Sequence, residues 1–290
     1  MSKQTLLAVL AHPDDESFGM GGTLALYASR GAEVHLVCAT RGEVGEVAPE
    51  LLKGFNSIAE LRESELRCAA GILGLAGVHF LDYRDSGMPG SPDNQHPQAL
   101  AAQPLDEVAA NIVCYIRELK PQIVLTFDPI GGYRHPDHIA IQRATVRAFE
   151  QANNPDFAPD SNPVSSGPDQ ALITPQRLYF HIFPKGILKF AVKFLPLIGK
   201  DPHKFGTNGD IDLASIAEVD FPTHARINIR AVQEKKEKAG ACHASQGGGR
   251  MGGGLISFFM HLFGGTEAFM RAYPPVERGE KVMKDLFESL

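Results

Sequence analysis

Short apolar runs alternate with amphipathic segments through the first half of this 290-residue chain, and that alternation limits its possible folds more than any other feature. The runs have the length of buried strands, and the apolar residues between them recur at helical spacing. Strands that are separated by helices pair in parallel through right-handed crossovers. The sequence therefore predicts a Rossmann-like, doubly wound α/β fold, with a mostly parallel sheet and helices on both faces. The predicted strands are 5–11, 34–38, 78–81 and 122–127, and the predicted helices are 17–30, 57–74, 104–119 and 137–151.

The second half of the chain departs from this regular alternation. A segment rich in Pro, Asn, Ser and Asp predicts a surface loop, after which strands and a helix resume. We expect a single domain over 1–290, in which residues 1–151 form the Rossmann-like core and residues 176–290 complete the functional site. The predicted elements are a loop at 152–175, a strand at 178–183, a strand at 216–221 and a helix at 224–243.

Two apolar stretches, 186–205 and 247–265, fit neither pattern. The first mixes aromatic and aliphatic residues with lysines, and the second places an apolar run between two glycine triplets. They are interpreted as insertions that pack over the sheet, as a mobile lid, or as a membrane-surface contact. Because the apolar segments are short and the chain is acidic, a lid is favoured over a membrane contact.

The charge and the hydropathy of the chain argue against several classes of protein. A net charge of -6 argues against a nucleic-acid-binding surface, which requires a basic stripe. No stretch reaches the roughly 20 apolar residues of a membrane-spanning helix. The first apolar run is short and ends in a polar loop, so it is predicted to be a strand and not a signal peptide.

The four cysteines, Cys38, Cys68, Cys114 and Cys242, form no CxxC pair and are scattered through segments that are predicted to be buried. Paired cysteines at short spacing are the usual mark of a cysteine metal site, so such a site is not expected. The sequence instead predicts reduced, buried thiols in a cytoplasmic protein.

The first predicted strand is followed directly by His12-Pro13-Asp14-Asp15-Glu16. Two adjacent carboxylates repel each other when both are ionised, and a bound dication would relieve the repulsion and lower both pKa values. One acid alone could be explained as the N-cap of the next helix. Two acids and a histidine exceed what capping needs, so the loop is a candidate cation site.

The fourth predicted strand leads into a second such loop, His135-Pro136-Asp137-His138, with Tyr133 just upstream after a glycine pair. Alone, this segment could be a helix start capped by Asp137. However, the carboxyl ends of parallel strands meet at one edge of a sheet, so both loops are expected to converge there. Two histidines and one carboxylate form a three-ligand site with open positions, as in catalytic Zn²⁺ or Fe²⁺ centres.

The count of candidate groups predicts a hydrolase. Three side chains would hold the ion, one of Asp14 and Asp15 would remain as a base, and one of His135 and His138 would remain to stabilise an oxyanion.

The two loop motifs resemble the signature motifs of the PIG-L/LmbE family, which are metal-dependent N-deacetylases of N-acetylglucosaminyl compounds with a Rossmann-like fold. Other segments resemble the branch that contains the mycothiol-biosynthesis deacetylase and the mycothiol S-conjugate amidase. The resemblance covers residues 1–150 closely and the rest loosely. The segments that carry the branch resemblance are 40–43, 62–66, 83–88, 127–133 and 243–246.

The resemblance implies a role for each candidate residue of the two loops. His12, Asp15 and His138 would bind the metal, Zn²⁺ or alternatively Fe²⁺. Asp14 would be the general base and later the acid, and His135 would stabilise the oxyanion. Our own hypothesis is that the His135 ring is protonated when it does so.

The resemblance also implies a substrate, a small N-acetylglucosaminyl-type molecule that loses acetate and keeps a free amine. Tyr133 would be a mobile group near the reacting carbonyl. Arg62, Asp85 and Met88 would line the sugar or cyclitol pocket.

Three other interpretations stay open at this point. An amidase could cleave a larger acyl group with the same chemistry, and a non-catalytic protein could use the apolar stretches on a membrane surface. A nucleotide-binding module is suggested by Gly19-Met20-Gly21-Gly22, but the third glycine of that pattern would fall at Leu24 and the preceding acids would repel a pyrophosphate.

Overall fold

The computed structural model describes residues 3–157, 172, 174–183, 189, 192–204, 212–248 and 265–290. Within these residues, seven strands form one sheet in the order β3-β2-β1-β4-β5-β7-β6. The first five strands of that order pair in parallel, and β7 is antiparallel to both β5 and β6. The predicted mostly parallel α/β fold is therefore confirmed. The strands are β1 Thr5–Leu10, β2 Glu33–Cys38, β3 Gly77–Phe80, β4 Ile123–Phe127, β5 Arg177–Ile182, β6 Ala225–Asn228 and β7 Thr266–Tyr273.

The helices lie mainly where the sequence predicts them in the first half of the chain. Ser57 caps the second of the long predicted helices by accepting a hydrogen bond from the Glu60 amide at 3.1 Å, and Gly74 ends that helix in the left-handed conformation. The helices are α1 Asp15–Phe18, α2 Gly21–Ser29, α3 Ile58–Leu73, α4 Leu105–Leu119, α5 Gly131–Arg134, α6 Pro136–Gln151, α7 Leu213–Ala217 and α8 Gln233–Cys242.

The predicted helix 17–30 is in fact two helices, α1 and α2, which are interrupted at Gly19 and Met20. A carboxylate from β7, about 245 residues further along the chain, stabilises the start of α2 after this break. The Glu267 carboxylate accepts hydrogen bonds from the amides of Gly22 at 3.0 Å and Thr23 at 2.7 Å, at the N-terminus of α2. A negative charge is favourable at that end of a helix, but its source is not visible in the local sequence.

The sequence predictions fail most clearly between residues 212 and 243. The predicted strand 216–221 is wrong, because α7 occupies Leu213–Ala217 and Asp212 caps it through the Ser215 amide at 2.9 Å. The predicted helix 224–243 begins instead with β6, whose residues alternate between buried and exposed. Pairing with β7, which the sequence analysis does not predict, favours the strand there.

The core surrounds the two central parallel strands. Every residue of β1 and of β4 is buried, as expected for strands that are covered by helices on both faces. From β1 the strand order continues to β2 on one side and to β4 on the other. Such a switch point leaves a crevice at the carboxyl ends of the strands, where ligands bind in open α/β sheets.

The prediction of four reduced thiols is wrong for two of them. Cys68 in α3 and Cys242 at the end of α8 form a disulfide across 174 residues, with their Cα atoms 6.0 Å apart. Cys38 and Cys114 are buried free thiols, as predicted. Because disulfides are rare in reducing compartments, this bond counts against the expected cytoplasmic location, which stays a prediction.

The second apolar stretch falls largely outside the described residues, since 249–264 are not described, and the first lacks 186–188, 190–191 and 205. In the described part of the first stretch, Leu197 is 80% exposed. No helix in the described ranges combines the length and apolar character needed to cross a membrane. The lid and the membrane-surface contact stay predictions.

Candidate active site

The structure brings the two predicted loops together at the carboxyl ends of β1 and β4. The Nδ1 atom of His12 lies 3.2 Å from Nε2 of His138. In Asp15, Oδ1 lies 3.3 Å from Nε2 of His138, and Oδ2 lies 3.7 Å from Nδ1 of His12. Tetrahedral ligands with bonds of about 2.1 Å are about 3.4 Å apart, so each pair of these side chains has the spacing of two ligands of one cation.

Hydrogen bonds fix the orientation of all three candidate ligands. The Nε2 atom of His12 is 3.1 Å from a carboxylate oxygen of Asp137, and Nδ1 of His138 is 3.1 Å from the Gly131 carbonyl. The His12 amide donates to the Asp15 carboxylate at 2.7 Å. Histidine ligands of metals usually donate their second ring N–H to a carboxylate or carbonyl. The supporting bonds therefore leave the two facing nitrogens available to a metal.

Two groups that share His12 place one ligand atom from each of three residues within 4.8 Å of one another, and neither contains Asp15. They are His12 with His135 and His138, and His12 with Asp85 and Asp137. In each of these two groups, one residue already has another hydrogen-bond partner. The Asp137 carboxylate accepts from the backbone and hydroxyl of Ser86, and Nδ1 of His135 accepts from the Asp137 amide at 3.2 Å. The assignment of His12, Asp15 and His138 as the metal-binding set stays a prediction.

A glycine allows the second loop to come close. Gly131 has a φ of 64°, and a Cβ built there would lie 2.7 Å from the Cβ of His138. Any larger residue would push α6 away from the turn that accepts the His138 N–H. The glycine pair that the sequence analysis singles out therefore lets the backbone support a histidine ligand.

Asp14 lies beside the candidate ligands in an unusual backbone conformation, with a φ of 131°. Its carboxylate accepts a hydrogen bond from the Arg62 guanidinium at 3.2 Å. Burial raises the pKa of Asp14 to about 7, although Arg62 opposes the shift. A carboxylate with such a pKa is suited to accept and return a proton near neutral pH.

His135 is the N-cap of α6, and its ring accepts the Asp137 amide proton on Nδ1. Burial lowers the pKa of His135, and His12 adds to the shift. Both observations favour a neutral ring with its proton on Nε2, in place of the protonated ring that the sequence analysis expects. A neutral imidazole N–H is still a hydrogen-bond donor.

Tyr133 packs edge-on against two of the histidines. The ring centroids are 4.9 Å from His138 and 5.9 Å from His135. Burial raises the pKa of Tyr133 well above its ordinary value, so the phenol keeps its proton. Its predicted mobility stays a prediction.

The three residues that were predicted to bind substrate occupy different positions. Arg62 is buried against the first loop, where it donates to the Pro13 and Gly42 carbonyls as well as to Asp14. Asp85 is also buried, and its carboxylate lies 3.5 Å from Nε2 of His12. Met88 follows in the same loop and is partly exposed. Their substrate-binding role stays a prediction.

Several polar residues of the site are not predicted from the sequence. Asp137 was interpreted as a possible helix cap, whereas its carboxylate supports His12 and Ser86. Buried Glu16 pairs with His243, which comes from 227 residues further along the chain. One buried oxygen of Glu43 has no hydrogen-bond partner among the described residues. No local signal predicts these contacts, because each depends on chain segments that only the fold brings together.

The suggested nucleotide-binding loop is occupied by a protein carboxylate. Glu267 binds the Gly22 and Thr23 amides, and Lys236 pairs with the same carboxylate at 2.6 Å. These helix N-terminal amides are the groups that would bind a phosphate in a dinucleotide site. The structure therefore gives no support to the nucleotide-binding interpretation.

Comparisons with known proteins agree with this geometry. The sequence profile of the PIG-L family, described as GlcNAc-PI de-N-acetylase, matches residues 7–149. The 1D-myo-inositol 2-acetamido-2-deoxy-alpha-D-glucopyranoside deacetylase of Geodermatophilus obscurus is 35% identical over 98% of this chain and 95% of its own length. The protein of the same name from Thermobifida fusca is 37% identical over 85% of this chain and 84% of its own.

Solved structures share the fold at lower identity. The N,N'-diacetylchitobiose deacetylase from Pyrococcus horikoshii is 22% identical, with a TM-score of 0.59 over 93% of this chain and 84% of its own. The 4-carboxy-2-hydroxymuconate hydratase from Pseudomonas putida is 19% identical, with a TM-score of 0.59 over 94% of this chain and 98% of its own. One fold thus accompanies two reactions, so the site residues must decide the chemistry.

Proposed function

The chain belongs to the PIG-L family, and from this premise we propose that it is a metal-dependent hydrolase that removes the N-acetyl group from an N-acetylglucosaminyl-type substrate. The products are acetate and a free amine. The observation that carries the proposal is the group formed by His12, Asp15 and His138, whose facing atoms lie 3.2–3.7 Å apart beside Asp14.

We propose Zn²⁺ as the ion that His12, Asp15 and His138 hold, with Fe²⁺ as the alternative. Two nitrogens and one carboxylate suit either ion and leave coordination positions open. When bound, the ion would polarise the acetamide carbonyl and lower the pKa of a water molecule toward about 7.

Asp14 is the proposed general base. It accepts a proton from the attacking water as the C–O bond forms, and Arg62 holds its carboxylate in place. The same carboxyl group then gives the proton to the amide nitrogen as the C–N bond breaks. This transfer expels a neutral amine, and the acyl carbon is left as acetic acid, which ionises to acetate in solution.

His135 is the proposed oxyanion donor. Its Nδ1 is occupied by the Asp137 amide, so its free N–H, on Nε2, can donate to the carbonyl oxygen as negative charge develops there. Tyr133 packs against the His135 ring and helps to keep it in this orientation.

The substrate is proposed to be a small amino sugar with many hydroxyl groups. The curated relatives are named for a glucosaminyl-inositol compound, which supports this class. Arg62, Asp85 and Met88 are proposed to line its pocket, and the unpaired oxygen of Glu43 is a further acceptor for a hydroxyl group.

The test is acetate release by protein that has been stripped of metal and reloaded with Zn²⁺ or Fe²⁺. The substrates are a panel of N-acetylglucosamine derivatives, including an inositol-linked one. Release of acetate by the reloaded protein supports the proposal. Release of a larger acid from an S-conjugate, without acetate release from any N-acetyl substrate, would support the amidase alternative instead.

A further inference from the structure

Asp14 has a backbone conformation that requires support from its surroundings. Its φ of 131° lies in the region that favours glycine, and an aspartate stays there only when neighbouring contacts hold it. Its carbonyl accepts hydrogen bonds from the Ser17 and Phe18 amides at 3.0 and 2.9 Å, which are ordinary bonds of a helix start. Its amide instead donates to the Glu16 carboxylate at 3.0 Å. This hydrogen bond to a side chain is not part of ordinary helix geometry, so it is the contact that can hold the unusual conformation of Asp14.

Glu16 is a fully buried carboxylate that needs a partner of opposite charge. His243 supplies it, with Nε2 lying 2.7 Å from the second oxygen of Glu16. His243 thereby orients the Glu16 carboxylate, whose other oxygen accepts the hydrogen bond of the Asp14 amide.

The position of His243 is set by α3 on both sides of the residue. Before it, Cys242 is bonded to Cys68 of α3. After it, Ser245 donates its amide and hydroxyl to the Glu65 carboxylate of α3, at 2.8 and 2.6 Å. The same helix carries Arg62, which binds the Asp14 carboxylate. The helix α3 therefore supports Asp14 in two ways. Arg62 of α3 binds the Asp14 carboxylate directly, and α3 also positions His243, which binds Glu16, which in turn binds the Asp14 amide.

We propose that His243 is a positioning residue, which acts through Glu16 to hold the backbone of Asp14 in its positive-φ conformation. The inference rests on the proposed function, because it gives Asp14 the role of base. It assigns a task in the reaction to a C-terminal segment that contributes no candidate metal ligand. A pair that only fastened the C-terminal segment would affect the melting temperature without changing the turnover of the folded protein.

The test compares His243→Leu with Tyr27→Phe. Tyr27 is a matched control, because its hydroxyl also joins the first half of the chain to the C-terminal segment, at Asp285 and Leu286, and it takes no part in the site. Both variants should have lower melting temperatures. Only His243→Leu should lose kcat, by roughly 100-fold, as expected when a reacting group is displaced by about 1 Å. Its KM and its Zn²⁺ affinity should stay near those of the wild type.

Two further substitutions sharpen the result. His243→Gln should keep most of the activity, since a glutamine amide N–H can still reach Glu16, whereas the shorter His243→Asn should not. If His243→Leu fails to fold, Glu16→Met replaces it. A methionine side chain offers no strong acceptor to the Asp14 amide and none to His243, so kcat should fall.

A folded His243→Leu or Glu16→Met protein with wild-type kcat would overturn the inference, while acetate release by the wild type would still support the proposed function. A crystal structure of either variant gives a readout without activity. The φ of Asp14 should leave the positive region, and a φ that stays near 131° in the variant would also overturn the inference.

Discussion

The parallel half of the sheet and its antiparallel extension contribute to the site in different ways. The segments after β1 and β4 supply every proposed ligand, the proposed base and the proposed oxyanion donor. Each of these residues lies within 11 residues of the end of a buried strand. The extension and the segment after α8 supply contacts that hold those loops, such as Glu267 on α2 and His243 on Glu16. The proposed reacting residues therefore lie in two short segments of the sequence, whereas the residues that hold those segments in place come from distant parts of the chain.

The largest expected effect separates the two histidines of the second loop. His138→Ala should lose both the metal and the activity, because Nε2 of His138 is a proposed ligand. His135→Ala should keep the metal and lose kcat by about 10²–10³, the usual cost of one oxyanion donor. Metal analysis and acetate release on the same preparations check both. Loss of metal from His135→Ala with retention in His138→Ala would reverse the assignment.

A change at Asp14 tests whether the first loop carries the proton transfer. Asp14→Asn should lower kcat by about 10²–10⁴ and keep the metal bound. Asn at this position keeps a hydrogen-bond acceptor for Arg62 but cannot take the proton. Normal turnover of the metal-loaded variant would exclude Asp14 as the base.

A change at Asp137 tests how strongly the metal affinity depends on the carboxylate that orients His12. Asp137→Ala removes the carboxylate that orients His12 and binds Ser86. Loss of such a contact typically weakens metal affinity by about 10–100-fold. Titration against a zinc chelator measures it, and an unchanged affinity would show that the orientation of His12 does not depend on Asp137.

His181 in β5, the strand on which the antiparallel extension pairs, should contribute to the acid sensitivity of stability. Burial lowers its pKa from 6.5 to about 4. Between these values the unfolded state binds a proton that the folded state refuses, so the free energy of unfolding falls as the pH drops from 6.5 to 4. The full shift corresponds to at most about 3 kcal/mol. Denaturant unfolding at pH 7 and pH 4.5 should show a smaller loss for His181→Gln than for the wild type, and equal losses would contradict the assignment.

The same division explains what the sequence could predict. The parallel strands, Ser57 as a helix cap and the convergence of the two loops follow from patterns that are read within about 20 residues. The strand β6 was predicted as part of a helix because its partner β7 lies about 40 residues away. The Cys68–Cys242 bond and the Glu16–His243 pair span 174 and 227 residues, so no local pattern indicates them.

The most direct test of the account is the position of zinc in crystals of zinc-loaded protein, located by anomalous scattering at the zinc edge. The account predicts one ion bound by Nδ1 of His12, Nε2 of His138 and the Asp15 carboxylate, at about 2.0–2.2 Å. An ion held instead by His12, Asp85 and Asp137, or crystals that bind no zinc at either group, would contradict it.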